Sequence, residues 1–171
     1  SWALYVNADE LDGVPQDVID ATRAAAEAEG RDGHKLTLKL PVYLPLMQFA
    51  HSSALREKLY RAYTTRASDQ AEGDGQQFDN SAIMAEILAL RQEESRLLGY
   101  RNFAEVSLVP KMADTPDQVI AFLRDLAAKA RPHAERDVAD LRQFAREQLG
   151  LDDPQPWDWT YISETLKDAR Y

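Results

Sequence analysis

Apolar side chains recur at helical spacing through the middle of the chain, from Ser53 to Gly99. The run SALREKLYRAYTTRAS repeats them every three or four residues, and the run NSAIMAEILALRQEESRLLG carries a wide apolar stripe. A polar loop with two glycines separates the runs. Two amphipathic helices joined in this way predict a helical hairpin. On the first helix we expect Arg56, Arg61 and Arg66 to lie on faces other than the apolar one.

The longest helical run lies in the C-terminal half of the chain. Thr115 is predicted to cap it, with Pro116 at the first helical position and Gln118 as the reciprocal capping partner. Apolar residues then recur at helical spacing up to Gly150, which predicts a helix about 50 Å long at 1.5 Å per residue. Pro132 lies inside this run, so it must either kink the helix or divide it in two.

Helices are also predicted near both ends of the chain. Pro15 suits the first position of an Ala-rich helix, and Gly30 is expected to end it. The last run, ISETLKDARY, follows the proline-containing linker LDDPQPWD. We interpret Trp157 and Trp159, at the end of this linker, as packing anchors rather than as a platform for a ligand.

One segment alternates with the period of a strand. In HKLTLKLP, Leu36 and Leu38 alternate with polar residues and Pro41 ends the run. We expect at most a short isolated or edge strand near residues 35–40, because no second alternating run is evident. The apolar segment PVYLPLMQFA then suits a short buried helix in which Pro45 lies at the start or makes a kink. The predicted fold class is all-α, with residues 1–171 as a single helical region.

Composition narrows the classes of function. The 171 residues carry a net charge of −9, which disfavours binding to a nucleic-acid backbone. There are no cysteines, so disulfides and thiolate sites are excluded, and a cytoplasmic location is expected. No apolar run approaches the roughly 18–20 residues that span a membrane. We therefore expect neither nucleic acid nor membrane among the partners.

The histidines do not form a zinc motif. Helical zinc sites use two histidines four residues apart, often with a catalytic Glu between them. Here His34, His51 and His133 are 17 and 82 residues apart, and none is followed by Glu. We therefore assign no metal ligand, no cofactor-binding residue and no catalytic residue to this chain, and interpret the histidines as surface or hydrogen-bonded groups.

Other residue types allow chemistry without selecting it. The carboxylate clusters at residues 27–29, 93–94 and 152–153 are expected on solvated faces, although a buried acid–base pair stays open. The glycines of EGDGQ match no phosphate-binding pattern. Tyr60, Arg61, Tyr63 and Arg66 share one helix, where an arginine can bind a peptide carboxylate and a tyrosine can donate to an oxyanion. We favour the alternative, in which these side chains pack on the core.

Several segments together resemble one enzyme family. They are LTLKLPVYLPLM, LREKLYRAYTTRASDQ, FDNSAIMAEILALRQEESRLLGYRNFAEVSLVPKMADTPDQVIAFL and PQPWDWTYISE. In this order they resemble the oligopeptidase A branch of the thimet oligopeptidase family, over nearly the entire chain. The resemblance implies a cytosolic zinc metallopeptidase that cleaves short peptides in a channel between two mostly helical halves. It also implies a His-Glu-x-x-His motif whose Glu acts as general base, and a downstream Glu that binds zinc.

The sequence departs from that family in one decisive respect, because the His-Glu-x-x-His motif is absent. We therefore expect an N-terminal-side fragment of a two-lobed metallopeptidase, inactive alone, that forms scaffold and part of the channel wall. Zinc, short peptide substrates and the missing C-terminal catalytic portion belong to the parent enzyme. The alternative is a self-contained helical binding module without enzymatic activity.

Overall fold

The computed structural model describes residues 2–171, apart from the side chain of Asp74. Helices dominate the described residues, which confirms the predicted fold class. The strands and helices, in chain order, are β1 Ala3–Val6, α1 Gln16–Glu27, β2 His34–Thr37, α2 Leu40–Phe49, α3 Ser53–Thr64, α4 Ser81–Leu97, α5 Phe103–Leu108, α6 Pro116–Leu149 and α7 Trp159–Arg170. Short 3-10 helices cover Ala8–Leu11 and Gly73–Phe78.

The chain divides into two compact units. The first contains Ser1–Phe78 and Ala139–Tyr171, and the second contains Asp79–Val138. Helix α6 begins in the second unit, and its last part belongs to the first. The two helices that the hairpin prediction requires, α3 and α4, are present but belong to different units.

The first unit contains a two-stranded antiparallel sheet. Strand β1 pairs with β2, with Leu4 opposite Leu36 and Val6 opposite His34. The short edge strand predicted near residues 35–40 is therefore confirmed, although it covers His34–Thr37 and its partner β1, which the sequence pattern did not reveal, lies near the start of the chain. The partner is only four residues long and does not alternate between apolar and polar residues, so it carries no period-two signal. The second strand stops at Thr37 because Lys39 and Leu40 begin helix α2.

The hydrophobic core of the first unit lies between this sheet and helices α1, α2 and α3. Its buried members are Val6, Leu11, Val14, Val18, Leu36, Leu46, Met47, Ala50, Leu55 and Leu59. Trp157 packs against the same cluster, which confirms its interpretation as a packing anchor. Helix α2 forms as predicted, with Pro45 inside it, although Leu40 and Leu44 on it remain exposed.

The predicted end of α1 is confirmed. Gly30 adopts a φ of +67°, a left-handed conformation that glycine takes without steric cost, and the chain reverses there. The N–H of Arg31 donates to the carbonyl of Ala26, which satisfies one of the last helical carbonyls. Pro15 lies at the capping position rather than at the first helical residue.

The second unit contains α4, α5 and the first part of α6. Helix α4 packs against α5. Thr115 caps α6 as predicted, since its Oγ1 accepts from the N–H of Gln118 at 3.1 Å. The side chain of Gln118 reaches back to the N–H of Asp114 at 2.7 Å, one residue before the position that the capping box predicts. Helix α6 continues through Pro132 without being divided.

Within the described part of the chain, no helix combines the length and the apolar character that crossing a membrane requires.

Candidate functional site

The three histidines lie in unrelated surroundings. His34 is buried, with its Nδ1 3.1 Å from the Thr22 hydroxyl and 3.2 Å from the Ile19 carbonyl. The Nδ1 of His51 lies 3.0 Å from a carboxylate oxygen of Asp12 at the surface. His133 contacts Arg136 on α6. The prediction of surface or hydrogen-bonded histidines is thus confirmed.

Within the described residues, the histidines do not belong to a cluster that could bind a metal ion. No group of three or more His, Asp or Glu side chains suited to a metal ion occurs within the described residues. The predicted acidic clusters at residues 27–29, 93–94 and 152–153 are exposed, as expected for solvated faces.

The main polar cluster of the first unit is built around a buried arginine. The guanidinium of Arg56 is about 1% exposed, and its Nη2 donates to Asp158 Oδ1 at 2.6 Å. Its Nη1 donates to the carbonyls of Ala50 at 2.5 Å and His51 at 3.2 Å. The ring of Tyr161 lies 4.3 Å from the guanidinium carbon, which places the cation over an aromatic face.

Among the described residues, the Nε of Arg56 is buried without a partner, whereas both carboxylate oxygens of Asp158 accept hydrogen bonds. Besides Arg56, the carboxylate accepts from the Ser53 hydroxyl and from the N–H of Gln155, both at 3.0 Å. The indole N–H of Trp157 donates to the same Ser53 hydroxyl at 3.1 Å. These bonds join the N-terminal ends of α3 and α7. We name Arg56, Asp158, Ser53 and Trp157 the α3–α7 cluster.

The α3–α7 cluster corrects the sequence-based placement of Arg56, which is not on an outward face of α3. Arg56 follows Leu55 directly and precedes Leu59 by three residues, so it borders the apolar stripe. Its burial depends on Asp158, which is 102 residues away in the chain. The sequence pattern carries no signal for so distant a pairing.

The other arginines and tyrosines of this region make aromatic contacts, but Arg66 lies beyond the end of α3 at Thr64 and so does not share one helix with Tyr60, Arg61 and Tyr63 as predicted. Tyr63 stacks on Tyr43 with ring centroids 4.1 Å apart, and the guanidinium of Arg66 lies 3.9 Å from the Tyr63 ring. Arg61 lies over Trp157 at 5.3 Å and also pairs with Glu57 at 2.8 Å. Burial and the neighbouring tyrosines raise the pKa of the Tyr43 hydroxyl. Tyr60 packs against the core, as we favoured, whereas Arg61 and Arg66 are exposed.

A second charged cluster connects the sheet to the end of α1. Lys35 on β2 and the hydroxyl of Tyr5 on β1 both donate to Glu29. The Lys35 hydrogen bond, followed by that of Tyr5, holds the pKa of Glu29 below its usual value. The same bonds raise the pKa of Lys35 and of Tyr5. Arg31 covers the Tyr5 ring at 4.3 Å.

The second unit differs from the first in having almost no buried side chains. All of its residues, 79–138, are among those described, and Ser95 is the one buried residue. Two shallow hollows of about 360 Å³ open on its surface, one along Leu90, Leu97 and Leu98 and one beside Val109. The exposed large apolar side chains of α4 and α6 in this unit, which we name the α4 and α6 apolar faces, are Ile83, Met84, Ile87, Leu88, Leu90, Leu97, Ile120, Phe122, Leu123, Leu126 and Val138.

Comparison with known proteins identifies the family. A model of peptidase family M3 matches residues 46–171. The chain is 49% identical to Oligopeptidase A of Salmonella typhimurium over 98% of its own length and 25% of that protein. It is 49% identical to Oligopeptidase A of Escherichia coli over 99% of its length, again 25% of that protein.

A plant relative matches in the same way. The Probable cytosolic oligopeptidase A of Arabidopsis thaliana is 39% identical over 98% of this chain and 24% of its own length. The chain therefore spans about a quarter of the length of these curated relatives. The family model covers well over half of the chain, and the relatives match it almost from end to end. The chain belongs to peptidase family M3.

Proposed function

We propose that this chain is a non-catalytic helical portion of a zinc-dependent oligopeptidase, supplying scaffold and part of the wall of the substrate channel. The observation that carries this proposal is the match to peptidase family M3, combined with a span of only a quarter of the relatives' length. The whole enzyme hydrolyses short peptides and resides in the cytoplasm.

The zinc of the whole enzyme does not fit the residues of this chain. His34 is enclosed between Thr22 and the Ile19 carbonyl, while His51 and His133 each contact a separate neighbour. The sequence also contains no His-Glu-x-x-His motif. Zinc ligands and the general base therefore lie in another part of the enzyme.

The α4 and α6 apolar faces support a scaffold role. Large apolar side chains such as Leu88, Phe122 and Leu97 are 65%, 65% and 81% exposed. Many exposed apolar side chains on one pair of helices indicate a contact site, because exposure of apolar surface to water costs roughly 25 cal/mol per Å². In the whole enzyme, other parts of the peptidase cover these faces.

A chimera tests the proposal. The 171 residues replace the matching quarter of Escherichia coli Oligopeptidase A, and hydrolysis of a short quenched-fluorescent peptide is measured beside zinc content. We expect a zinc-loaded chimera that cleaves the peptide at a rate within about tenfold of the parent. A matched chimera with Leu88→Asp on the α4 face should lose folding or activity.

A folded, zinc-loaded chimera without activity would contradict the proposal, because the segment would then not be an equivalent part of the scaffold. Full activity of the Leu88→Asp chimera would contradict the assignment of the α4 face as covered surface.

A further inference from the structure

Helix α2 has almost no polar side chains that could bond to the helix that packs on it. Its sequence is LPVYLPLMQF, in which Gln48 is the one amide or charged side chain. Helix α7 packs against α2 within the first unit. An apolar surface without polar marks does not distinguish one helical register from another a turn away, because the hydrophobic effect is non-directional.

Polar contacts join α7 to α2 and α3 at two points, besides the ion pair at 2.8 Å between Arg170 of α7 and Asp140 of α6. At its N-terminal end, Asp158 is buried and bonded to Arg56 at 2.6 Å. Six residues later, Glu164 accepts from the side-chain amide of Gln48 at 2.9 Å. The contact between Gln48 and Glu164 is thus about 9 Å farther along α7 than the contact of Asp158, at 1.5 Å per residue.

We infer that these two contacts, rather than apolar packing, fix the register of α7 on α2 and α3. Ile162 is the one fully buried apolar side chain of α7, so packing supplies a single strong anchor. Sliding α7 by one turn keeps apolar contact with α2, but it leaves the charge of Arg56 buried without Asp158. A buried unpaired charge costs several kcal/mol, so the slipped register is excluded by electrostatics.

The inference is tested by distances between spin labels. Because the sequence has no cysteine, two introduced cysteines are the sole labelling sites. The pair Lys58→Cys with Asp168→Cys reports α3 to α7, and the pair Ala24→Cys with Lys58→Cys reports α1 to α3. All three positions are exposed.

The distance between the two labels of each pair is measured in three backgrounds. They are the parent chain, the double variant Gln48→Leu/Glu164→Leu, and the triple variant that also carries Asp158→Asn. We expect one narrow distance for both pairs in the parent chain. The α3–α7 distribution should broaden or split in the variants, most when both contacts are removed, while the α1–α3 distribution stays narrow. Circular dichroism at the measuring temperature confirms the helical content of each sample.

Two results would overturn the inference. A narrow, unchanged α3–α7 distance in the variant that lacks both contacts would show that apolar packing alone fixes the register. Equal broadening of both distances, or loss of helix in either variant, would show that the contacts support the whole unit rather than the position of α7.

Discussion

The guanidinium of Arg56 loses almost all of its hydration when the first unit folds. Asp158 and the carbonyls of Ala50 and His51 accept hydrogen bonds from its two Nη atoms, whereas its buried Nε has no partner in the part of the chain that the structure describes. Such a pair adds little net stability over an apolar pair of equal volume, but removal of one partner is costly. The importance of the pair therefore appears when one member is substituted.

Asp158→Ala is expected to destabilise the chain by about 3 to 5 kcal/mol, because it leaves the buried Arg56 cation unpaired. The measurement is the free energy of unfolding in urea. The matched control is Glu57→Ala, which removes the carboxylate partner of the exposed Arg61 and should cost less than about 1 kcal/mol. Equal costs for the two variants would contradict the account of the α3–α7 cluster.

The lowered pKa of Glu29 makes the stability of the folded chain depend on pH. Its pKa is lower in the folded chain, since Lys35 and Tyr5 donate to its ionised form. Its contribution is therefore present above its unfolded pKa of roughly 4.3 and is lost as pH falls through the lower folded value. Glu29→Gln should lower the urea midpoint more at neutral pH than at about pH 3.

The matched control for this experiment is Glu27→Gln, an exposed carboxylate two residues earlier on α1. A loss of stability on Glu29→Gln that is the same at both pH values would show that the carboxylate charge is not the stabilising feature.

Single residues adopt the roles predicted for them where a local pattern decides the outcome. Thr115 and Gly30 adopt their predicted roles because capping depends on neighbours within a few residues. The burial of Arg56 could not be predicted in this way, because it depends on Asp158, which only tertiary packing brings near.

At the scale of elements, helix α6 tolerates a proline in its interior. Pro132 removes one backbone hydrogen bond, and its ring crowds the carbonyl of Ala128. The sequence alone left a kink and a division equally open, and the structure shows one undivided helix of 34 residues. Strand β1, unlike helix α6, could not be predicted from its own sequence, because a strand of four residues is recognised only through its pairing with β2.

Pro132→Ala is expected to stabilise the chain by up to about 3 kcal/mol, since alanine restores the hydrogen bond and has the highest helix propensity. The urea midpoint measures this gain. Pro116→Ala is the control, because proline at the first helical position costs little and its replacement should change stability slightly. A lower midpoint for Pro132→Ala would mean that the proline fits a bend that the native packing requires.

At the scale of the whole molecule, the two units differ in how many side chains they bury. The first has a continuous core, whereas Ser95 alone is buried among residues 79–138. Periodicity predicted the helices of both units, but it did not reveal that the apolar stripes of α4 and α6 remain uncovered. Periodicity shows that a helix has an apolar face, but it does not show whether another element covers that face.

The most direct test of the central claim is hydrolysis of a short quenched-fluorescent peptide by the purified 171-residue chain, with added zinc and with a chelator. We expect no cleavage above the buffer rate under either condition, since His34, His51 and His133 lie in separate environments. Cleavage that requires zinc and is abolished by the chelator would contradict the claim, because the chain would then carry a catalytic metal site of its own.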